Sequence, residues 1–446
     1  MKKFLALILS LVMLLSLVAC GEKSADDATP SDGPVTITVW TCNSGDTDAW
    51  LHEAAERFNA SQDQYVVEQS YAGGYSDLLA KLVAAPEEVP DIFHAETEGA
   101  YTYYALPDMY VPIQKFVDED NYDMSNIMGN LAATYTMDGK WQSMPLGNTL
   151  GGFFYNKELL DQAGINPDTD LNSYEDIMVA AQKLKDIGVE SPFFMYNSSS
   201  FYTMPITAEG IQYVDNNNGK DATPTKTLIG EAGECHDETV ALFQFIKDMK
   251  AKELMVPYGT SSDDARDLFV NGECAIFCSF ISSFKGVYDA VGGKFELGFH
   301  VIPTITNKHE NVGMCTGGGT LFIGNTADDH QRGAWEFMKF LMEDENAVGY
   351  AMASGYLPIT TTGVATTEYQ AYLDSTFPTA RAAIEFEKNT PASCYNAWLP
   401  MFNDFHGLAK EYMAKAYDDD ASAAEDLVNK FATAADEAIE LYNMSH

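Results

Sequence analysis

Strand and helix patterns alternate at the start of the folded part of the chain. The run VTITVW (35–40) is rich in β-branched residues and is typical of a buried strand. Residues 46–60 follow with Trp50, Ala54 and Phe58 at four-residue spacing, which forms one apolar face of a helix. The pattern then predicts a strand over 64–71, a helix over 75–85 and a strand over 90–96. This βαβαβ order predicts a parallel sheet with helices on its faces.

The same topology predicts where a ligand would bind. In parallel α/β sheets, ligands bind beyond the carboxyl ends of the strands. We therefore expect the segments after Trp40, after Tyr71 and after His94 to face the site. No catalytic motif is needed for this expectation, because it rests on the strand order alone.

Length and charge limit what the chain can be. With 446 residues and 46% hydrophobic side chains, it is too long for one ordinary domain and too apolar for disorder, which favours two packed lobes. A net charge of −40 repels phosphate backbones, so we expect no nucleic-acid partner. Only four of the 26 basic residues are arginines, the usual clamps for phosphate or carboxylate ligands.

The first twenty residues predict export and a lipid anchor. Two lysines precede an apolar run that is too short to span a membrane, which is typical of a signal peptide over residues 1–19. Leu17 to Cys20 resemble the bacterial lipobox, in which the cysteine carries the lipid. Residues 20–34 hold no large apolar side chain and predict a lipidated, flexible tether. We expect the protein on the outer face of the bacterial cytoplasmic membrane, held there by its lipid anchor alone.

Six further cysteines leave the question of disulfides open. In an exported protein they allow fifteen pairings, although most are interpreted as buried small hydrophobes. Cys274 and Cys278 lie in one strand-like run and are about 13 Å apart if extended, too far to bond each other. Cys235 and His236 have no second pair at zinc-ligand spacing, so neither a metal nor a cofactor is expected.

Later segments carry further helix and strand signals. Residues 171–188 predict a helix that Ser173 and Asp176 cap. Residues 331–355 predict one helix, and the C-terminal segment over 379–443 is amphipathic throughout. Further strands are predicted within 263–279, 293–303 and 317–325.

Four stretches together resemble a known family, the extracellular solute-binding proteins of ABC importers of carbohydrate type (family 1). They are GGYSDLLAKLVAAPEEVPDIFHAE (73–96), MPLGNTLGGFFYNKELLDQAGI (144–165), ARDLFVNGECAI (265–276) and GGGTLFIGNTADDHQRGAWEFMKFLMEDENAVGYAMASGYLPIT (317–360). The last stretch is most similar to the glycerol-phosphate-binding branch. The resemblance covers nearly the whole chain after the tether and is specific for the family rather than for a ligand.

The resemblance implies an α/β fold of two lobes, the type II periplasmic-binding-protein fold, each lobe a sheet flanked by helices. Hinge crossings would fall near 146–152, 303–315 and 356–362. Lobe 1 would then comprise 35–147 and 315–356, and lobe 2 would comprise 148–314 and 357–446. The implied partners are a small solute, held between the lobes, and the transmembrane subunits of an ABC permease. We expect a monomer.

The resemblance also implies binding residues. Its contacts fall on these positions: Tyr75, Glu96 or Glu98, Asn148, Thr149, Gly317, Gly318 and Tyr356. The match is looser at two further places, where Ser279 or Ser282, and Phe201 or Tyr202, are candidates. Tyr395 stands near the position where the glycerol-phosphate branch places an arginine. Because an aromatic ring cannot replace a bidentate cation, phosphate recognition is disfavoured.

These residue types suit a neutral sugar, which presents an apolar C–H face and hydroxyl groups around its ring. Tyr75, Tyr356, Tyr395 and Trp398 would supply rings, and Glu96, Glu98, Asn148 and Asn43 would supply polar edges. Trp398 precedes Pro400, which predicts a loop and hence access for a ligand. Gly317 to Gly319 would let a ligand approach the backbone.

Two alternatives remain open. The same receptor role would serve for glycerol phosphate or a phosphodiester, against which the scarcity of arginine argues. A surface-anchored, carbohydrate-active enzyme would need two carboxylates, and Glu96 and Glu98 would point to one face if the strand were extended. The preferred prediction is a non-enzymatic receptor that captures a neutral mono- or oligosaccharide for import.

Overall fold

The computed structural model describes residues 33–106 and 108–446. The predicted signal peptide, Cys20 and the tether up to residue 32 lie outside the described residues, so those expectations stay predictions. No helix in the described ranges is both long and apolar enough to cross a bilayer.

The strands form two main sheets and one small hairpin. Their bounds are β1 Val35–Thr41, β2 Tyr65–Tyr71, β3 Ile92–Glu96, β4 Tyr110–Val111, β5 Thr136–Met137, β6 Lys140–Trp141, β7 Met144–Thr149, β8 Gly151–Asn156, β9 Phe193–Phe194, β10 Ile276–Phe280, β11 Leu297–Val301 and β12 Gly317–Gly324. The first sheet has the order β2-β1-β3-β12-β4, and β7 also pairs with β12. The second sheet has the order β11-β8-β10-β9.

The first sheet confirms the βαβαβ prediction. Strands β1, β2 and β3 are parallel, and the helices between them end close to the predicted positions. β12 then runs antiparallel to β3 and β7, so the sheet is mixed rather than purely parallel. A strand was predicted within 317–325, but its place in this sheet was not, because it comes from far along the chain.

Helices cover both sheets. In chain order they are α1 Asp46–Ser61, α2 Tyr75–Ala84, α3 Ala100–Tyr104, α4 Gln114–Asp120, α5 Gly129–Tyr135, α6 Lys157–Gln162, α7 Pro167–Asp170, α8 Tyr174–Asp186, α9 Ser200–Ala208, α10 His236–Ala251, α11 Ser262–Val270, α12 Phe284–Val291, α13 Asp328–Met342, α14 Asp344–Ser354, α15 Thr361–Val364, α16 Thr367–Ser375, α17 Ala380–Asn389, α18 Phe402–Asp418 and α19 Ala424–Ser445. Helix α8 begins as predicted, because Ser173 Oγ accepts a hydrogen bond from the backbone N–H of Asp176 at 3.0 Å.

The two sheets are joined by crossing segments, which confirms the two-lobe α/β architecture. Only Leu150 separates β7 in the first sheet from β8 in the second. Residues 302–316 lead back from β11 to β12, and the backbone N–H of Leu357 donates to Asn148 O at 2.7 Å. The first two places agree with the crossings predicted near 146–152 and 303–315. Residues 359–361 still bond residues 126–128, so the crossing near 356–362 stays a prediction. The lobe boundaries at residues 147, 314 and 356 stay a prediction.

Two helix predictions were too long. The segment over 331–355 contains two helices, because Glu343 adopts an extended conformation (φ −57°, ψ 138°) between α13 and α14. The Asn346 side chain donates to Phe340 O at 2.7 Å and so replaces a backbone bond that a continuous helix would make. In the C-terminal segment, residues 390–401 are not helical. Pro391 disfavours helical backbone at Thr390 and ends α17.

The cysteines are free thiols throughout the described residues. All but Cys42 are buried, which agrees with their interpretation as small hydrophobes. Burial raises the pKa of the Cys274 thiol to about 12, so it stays protonated at neutral pH.

Gly318 allows the close packing of β12 on β7. It has φ 119°, and a Cβ there would collide with the carbonyl oxygen of Gly147.

We expect Gly318→Ala to destabilise the full-length chain by more than about 2 kcal/mol in urea unfolding. Gly407→Ala is the matched control, because Gly407 lies inside α18 with nothing within 4 Å of its Cβ position. The control should gain about 1 kcal/mol. Equal stabilities of the two variants would contradict this account of β12.

Candidate functional site

Strand β12 brings residues from distant parts of the sequence together. Its register pairs Gly319 with Glu96 of β3 and Gly317 with Thr149 of β7. Glycine lets the neighbouring groups approach this strand closely, because a Cβ at Gly319 would collide with His94 Nε2 and one at Gly317 would lie 3.1 Å from the Thr149 side chain. The segments after β1, β2 and β3 contribute Asn43, Tyr75 and Glu96, as the strand topology predicts.

Exposure separates the predicted residues into two groups. Tyr75, Glu96, Ser282, Gly317 and Tyr356 are partly exposed. The other predicted contacts are buried, namely Glu98, Asn148, Thr149, Gly318, Tyr395 and Trp398. We call the partly exposed group the cleft residues.

Tyr75 is held by a neutral histidine. Burial lowers the pKa of His94 to about 3. His94 Nδ1 accepts a hydrogen bond from the backbone N–H of Cys42 at 3.4 Å, which assigns the ring proton to Nε2. Nε2 lies 3.4 Å from the Tyr75 hydroxyl oxygen and donates to it. The Tyr75 hydroxyl in turn approaches Tyr356, and this hydrogen bond acts to lower the pKa of the Tyr356 hydroxyl.

A second aromatic pair adjoins Tyr75. Tyr350 and Tyr356 stack with ring centroids 6.0 Å apart and an interplanar angle of 23°. Asn43 Nδ2 donates to the Tyr350 hydroxyl at 3.1 Å, whereas its buried Oδ1 has no partner in the described residues. Burial raises the pKa of Tyr356, which keeps its hydroxyl a donor at neutral pH. The cleft thus offers flat rings and unused polar atoms side by side.

Glu96 faces a small cavity that it shares with Tyr75, Tyr103 and Asn403. Desolvation raises the pKa of the Glu96 carboxyl, and the nearby Glu98 charge raises it further. His406 and Lys410 on α18 act in the opposite direction. A carboxyl group in this environment can both donate and accept hydrogen bonds near neutral pH.

Glu98 has different surroundings from Glu96. β3 ends at Glu96, so Glu98 lies in a turn and the extended geometry considered for a carboxylate pair is wrong. Asn396 Nδ2 donates to Glu98 Oε1 at 2.6 Å, and His406 Nε2 lies 3.1 Å from Oε2. Thr203 approaches the same carboxylate at 3.5 Å. Glu98 therefore ties the first sheet to α9, α18 and the 390–401 segment.

Thr149 and Ser282 form the other side of the cleft. Thr149 Oγ1 donates to Ser282 Oγ at 3.0 Å and accepts from the backbone N–H of Ser282 at 3.2 Å. A Cβ at Gly355 would lie 2.7 Å from Ser282 O, which places Ser282 against the segment that precedes Tyr356. The alternatives lie elsewhere: Ser279 Oγ donates to Ser283 at 3.0 Å, and Phe201 and Tyr202 are fully buried.

Asn148 belongs to a buried polar cluster at the crossing of the two sheets. Its Oδ1 accepts a hydrogen bond from Thr316 Oγ1. The Asn148 and Asn130 side chains approach the Glu387 carboxyl and act to lower its pKa. Both Glu387 oxygens, both polar atoms of the Asn130 side chain and Asn148 Nδ2 nevertheless lack a well-formed hydrogen bond to any described residue. Burial is the larger effect and raises the pKa of Glu387 to about 7.

Trp398 lies in a loop, as predicted, but the expected access is wrong. Its ring is 5% exposed because it stacks on Tyr101 with centroids 5.4 Å apart. Tyr395 donates from its hydroxyl to Asn217 Oδ1 at 2.9 Å, and the Lys220 ammonium lies 4.1 Å above its ring. Both aromatics are therefore engaged by other parts of the protein.

The guanidinium groups of the four arginines all bind side chains that are not among the cleft residues. Each binds an acid or an amide through its guanidinium group: Arg57 binds Asn346 at 2.9 Å, Arg266 binds Asp263 at 2.7 Å, Arg332 binds Asp120 at 2.7 Å and Arg381 binds Asp374 at 2.5 Å. The cations that act on Glu96 are His406 and Lys410 instead. No bidentate cation is thus among the residues gathered at the cleft.

Several site residues were not predicted from the sequence. His94 lies two positions before Glu96 in one strand, so the period of two would have placed both on one face. His406 and Asn396 carry no comparable signal, because they meet Glu98 across about 300 residues of chain. Tyr350 lies on α14, where its spacing is typical of an ordinary core residue.

Comparison with known proteins defines the class. A family model described as bacterial extracellular solute-binding protein matches residues 53–379, well over half of the chain. The chain therefore belongs to this family of solute-binding proteins. Its curated relatives include the sn-glycerol-3-phosphate-binding periplasmic protein UgpB of Yersinia enterocolitica, 27% identical over 382 residues, which are 82% of this chain and 83% of that protein.

Solved structures share the fold at low sequence identity. The cyclic alpha-maltosyl-1,6-maltose binding protein from Arthrobacter globiformis has a TM-score of 0.74 and 19% identity, over 92% of this chain and all of that one. UgpB from Mycobacterium tuberculosis in complex with glycerophosphocholine has a TM-score of 0.74 and 20% identity, over 93% and 100%. The sugar-binding protein MalE from Xanthomonas citri has a TM-score of 0.76 and 15% identity, over 92% and 98%.

The raised pKa of Glu387 predicts that the free energy of unfolding depends on pH. The ordinary pKa of 4.5 applies in the unfolded chain, whereas burial raises it to about 7 in the folded protein. The folded state therefore keeps a proton that the unfolded state loses, and stability falls as pH rises from about 4.5 to about 7. The loss should reach about 3 kcal/mol. It should be measured by urea unfolding at several pH values.

Glu387→Gln should remove this part of the pH dependence. Glu385→Gln is the matched control, since Glu385 is exposed on the same helix α17. The control should keep the wild-type pH profile. An unchanged profile in Glu387→Gln would show that the cluster is not what titrates.

Proposed function

We propose that this protein is the solute-capturing component of an ABC importer and that its solute is a neutral mono- or oligosaccharide. The observation that carries the proposal is the set of cleft residues, in which two aromatic rings, a carboxyl group and small polar groups keep accessible surface. A sugar packs its C–H face on such rings and bonds its hydroxyls to such polar atoms.

The hydrogen-bonding capacity at the cleft suits hydroxyl groups. The Tyr356 hydroxyl, whose raised pKa keeps it protonated, can donate, and the buried Asn43 Oδ1 lacks a donor in the described part of the chain. Glu96, with its raised pKa, offers both a donor and an acceptor near neutral pH. Each sugar hydroxyl is itself both donor and acceptor, so this mixed set can be satisfied without any net charge on the solute.

Glycerol phosphate or a phosphodiester is the second candidate. The UgpB relatives favour it, because their names state that they bind sn-glycerol 3-phosphate. The pairing of all four arginines with other side chains argues against it. His406, one of the two basic side chains that act on Glu96, also lies 3.1 Å from Glu98 Oε2.

The surroundings of the two carboxylates support a role without catalysis. Glycoside hydrolysis needs a pair of acids on either side of one bond. Glu98 is instead buried and held by Asn396 and His406, while Glu96 faces the cleft alone. The arrangement fits binding and release of an unchanged solute.

Lipidation at Cys20 would keep the receptor on the outer face of the cytoplasmic membrane, next to the transmembrane subunits of its permease. The sequence from Leu17 to Cys20 supports this, as does the family's extracellular description. The receptor would act as a monomer, with the solute held between its two lobes.

The proposal predicts which compounds stabilise the full-length protein. Thermal-shift measurements with a panel of neutral mono-, di- and trisaccharides should raise the melting temperature for at least one sugar. sn-Glycerol 3-phosphate and glycerophosphocholine should give no shift. Stabilisation by the phosphate compounds alone would overturn the choice of solute in favour of the second candidate.

The affinity for the sugar should depend on the Tyr356 hydroxyl group. Tyr356→Phe removes only a hydroxyl and should weaken binding about tenfold, as expected for one lost hydrogen bond in a desolvated site. Tyr288→Phe is the matched control, because Tyr288 is 45% exposed on α12 and is not among the cleft residues. Calorimetry that finds equal affinity in both variants would exclude Tyr356 from the site.

A further inference from the structure

A buried histidine begins a row of three rings that ends among the cleft residues. His94 is 1% exposed, and its ring meets the Tyr75 ring edge to face, with centroids 5.0 Å apart and an interplanar angle of 73°. His94 Nε2 lies 3.4 Å from the Tyr75 hydroxyl oxygen. The Tyr75 hydroxyl in turn bonds Tyr356. We call His94, Tyr75 and Tyr356 the donor relay. Its two tyrosines are partly exposed, whereas its histidine is not.

The hydrogen bonds of the donor relay run in one direction. The backbone N–H of Cys42 donates to His94 Nδ1 at 3.4 Å, so the neutral ring carries its proton on Nε2. The Tyr75 oxygen accepts that proton's hydrogen bond, and the Tyr75 hydroxyl then donates to the Tyr356 oxygen. The Tyr356 hydrogen is the last in the row and can be donated onward.

Two facing glycines make room for these rings. Gly319 of β12 is paired with Gly147 of β7. A Cβ at Gly319 would collide with His94 Nε2 and lie 3.0 Å from the Tyr75 hydroxyl oxygen. A Cβ at Gly147 would lie 3.0 Å from Cγ of Tyr356. Side chains at this strand pair would therefore displace the rings, whereas glycines let all three approach the sheet.

The direction of the row decides how Tyr356 can meet a solute. A tyrosine hydroxyl on its own rotates and can either donate or accept. In the donor relay the hydrogen of Tyr75 occupies the Tyr356 oxygen, which leaves Tyr356 the role of donor. Such a donor needs an acceptor on the solute, and the hydroxyl, ring and glycosidic oxygens of a sugar all qualify. An ammonium group, which only donates, would be rejected at this contact.

We infer that His94 is a positioning residue for solute capture: through Tyr75 it fixes the Tyr356 hydroxyl as a hydrogen-bond donor, and the sugar atom that meets Tyr356 is an oxygen that accepts. The inference rests on the proposed function and extends it from the class of solute to the polarity of one contact. His94 is buried and acts through the two tyrosines rather than on the solute itself.

The first test asks whether His94 acts through the tyrosines. Calorimetry on the full-length chain should use glucose, galactose, mannose, maltose and maltotriose as probes. His94→Leu removes the donor and should weaken binding of a probe about fivefold, as for one lost hydrogen bond. His94→Gln keeps an N–H near the position of Nε2 and should restore most of that affinity. In a Tyr75→Phe background, His94→Leu should cause no further loss, because the row is already interrupted.

His52→Leu is the matched control for the loss of a histidine. Its side chain is 52% exposed on α1 and lies beside Asp48 rather than in the cleft. The control should keep wild-type affinity. Equal affinities in His94→Leu and His52→Leu would overturn the positioning role while leaving sugar capture intact. Losses from His94→Leu and Tyr75→Phe that simply add in the double variant would do the same, since a histidine that only packs gives additive losses.

The second test reads the protons directly. Nitrogen-15 NMR of the histidine rings at neutral pH should show His94 neutral with its proton on Nε2, and Tyr75→Phe should shift that N–H signal. A proton on Nδ1 or a charged ring would overturn the relay. The loss of the signal in His94→Gln assigns it.

A third test addresses the polarity of the contact. 3-Fluorotyrosine in place of Tyr356 has a more acidic hydroxyl, which donates more strongly and accepts more weakly. It should bind the probe about twofold more tightly. Equal or weaker binding would contradict the donor role.

These measurements separate the inference from the proposed function. Binding of none of the sugar probes would overturn the proposed function, whereas the NMR signals would still decide for or against the role of His94. Melting temperatures show whether each variant is folded. The NMR and fluorotyrosine measurements keep His94 in place, so they decide the question even if His94→Leu does not fold.

Discussion

The antiparallel insertion of β12 between β3 and β7 is the constraint on which the site depends. The strand carries the chain from the 302–316 crossing into the first sheet and pairs on both sides. Its leading glycines pair with Glu96 on one side, through Gly319, and with Thr149 on the other, through Gly317. One backbone arrangement therefore builds the connection between the sheets and the floor of the cleft together. A side chain at Gly318 would disturb both.

Charged groups on the surface of this acidic protein behave differently from those in its interior. On the surface, cations bind neighbouring acids, as in the contacts of Lys157 with Glu296 and of Lys285 with Asp46. Such exposed pairs contribute little to stability because solvent screens them. In the interior, neither Glu96 nor Glu387 forms an ion pair within the described residues, and desolvation raises the pKa of both carboxyl groups. The net charge of −40 therefore describes the surface and says little about the cleft.

Local signals predicted the parts of the fold that are local. The βαβαβ order and the Ser173 cap depend on neighbouring residues, and both are confirmed. The break at Glu343 depends on an Asn346 side chain that reaches back to Phe340, and no periodicity reveals it. The site shows the same division. Tyr75 and Glu96 follow from strand ends, whereas the partners of Glu98 come from residues 203, 396 and 406 and required the folded structure.

Contacts between the lobes bear on how a solute can act. Glu98 reaches Asn396, Thr102 reaches Pro400 and Lys220 reaches Ala133. A solute shifts a conformational equilibrium only by its difference in affinity for the two states. Since the protein supplies part of the contact between its own lobes, the solute need provide only the remainder. Its contribution must come from atoms that the protein leaves unpaired. Among the residues gathered at the cleft, the buried Asn43 Oδ1 is such an atom.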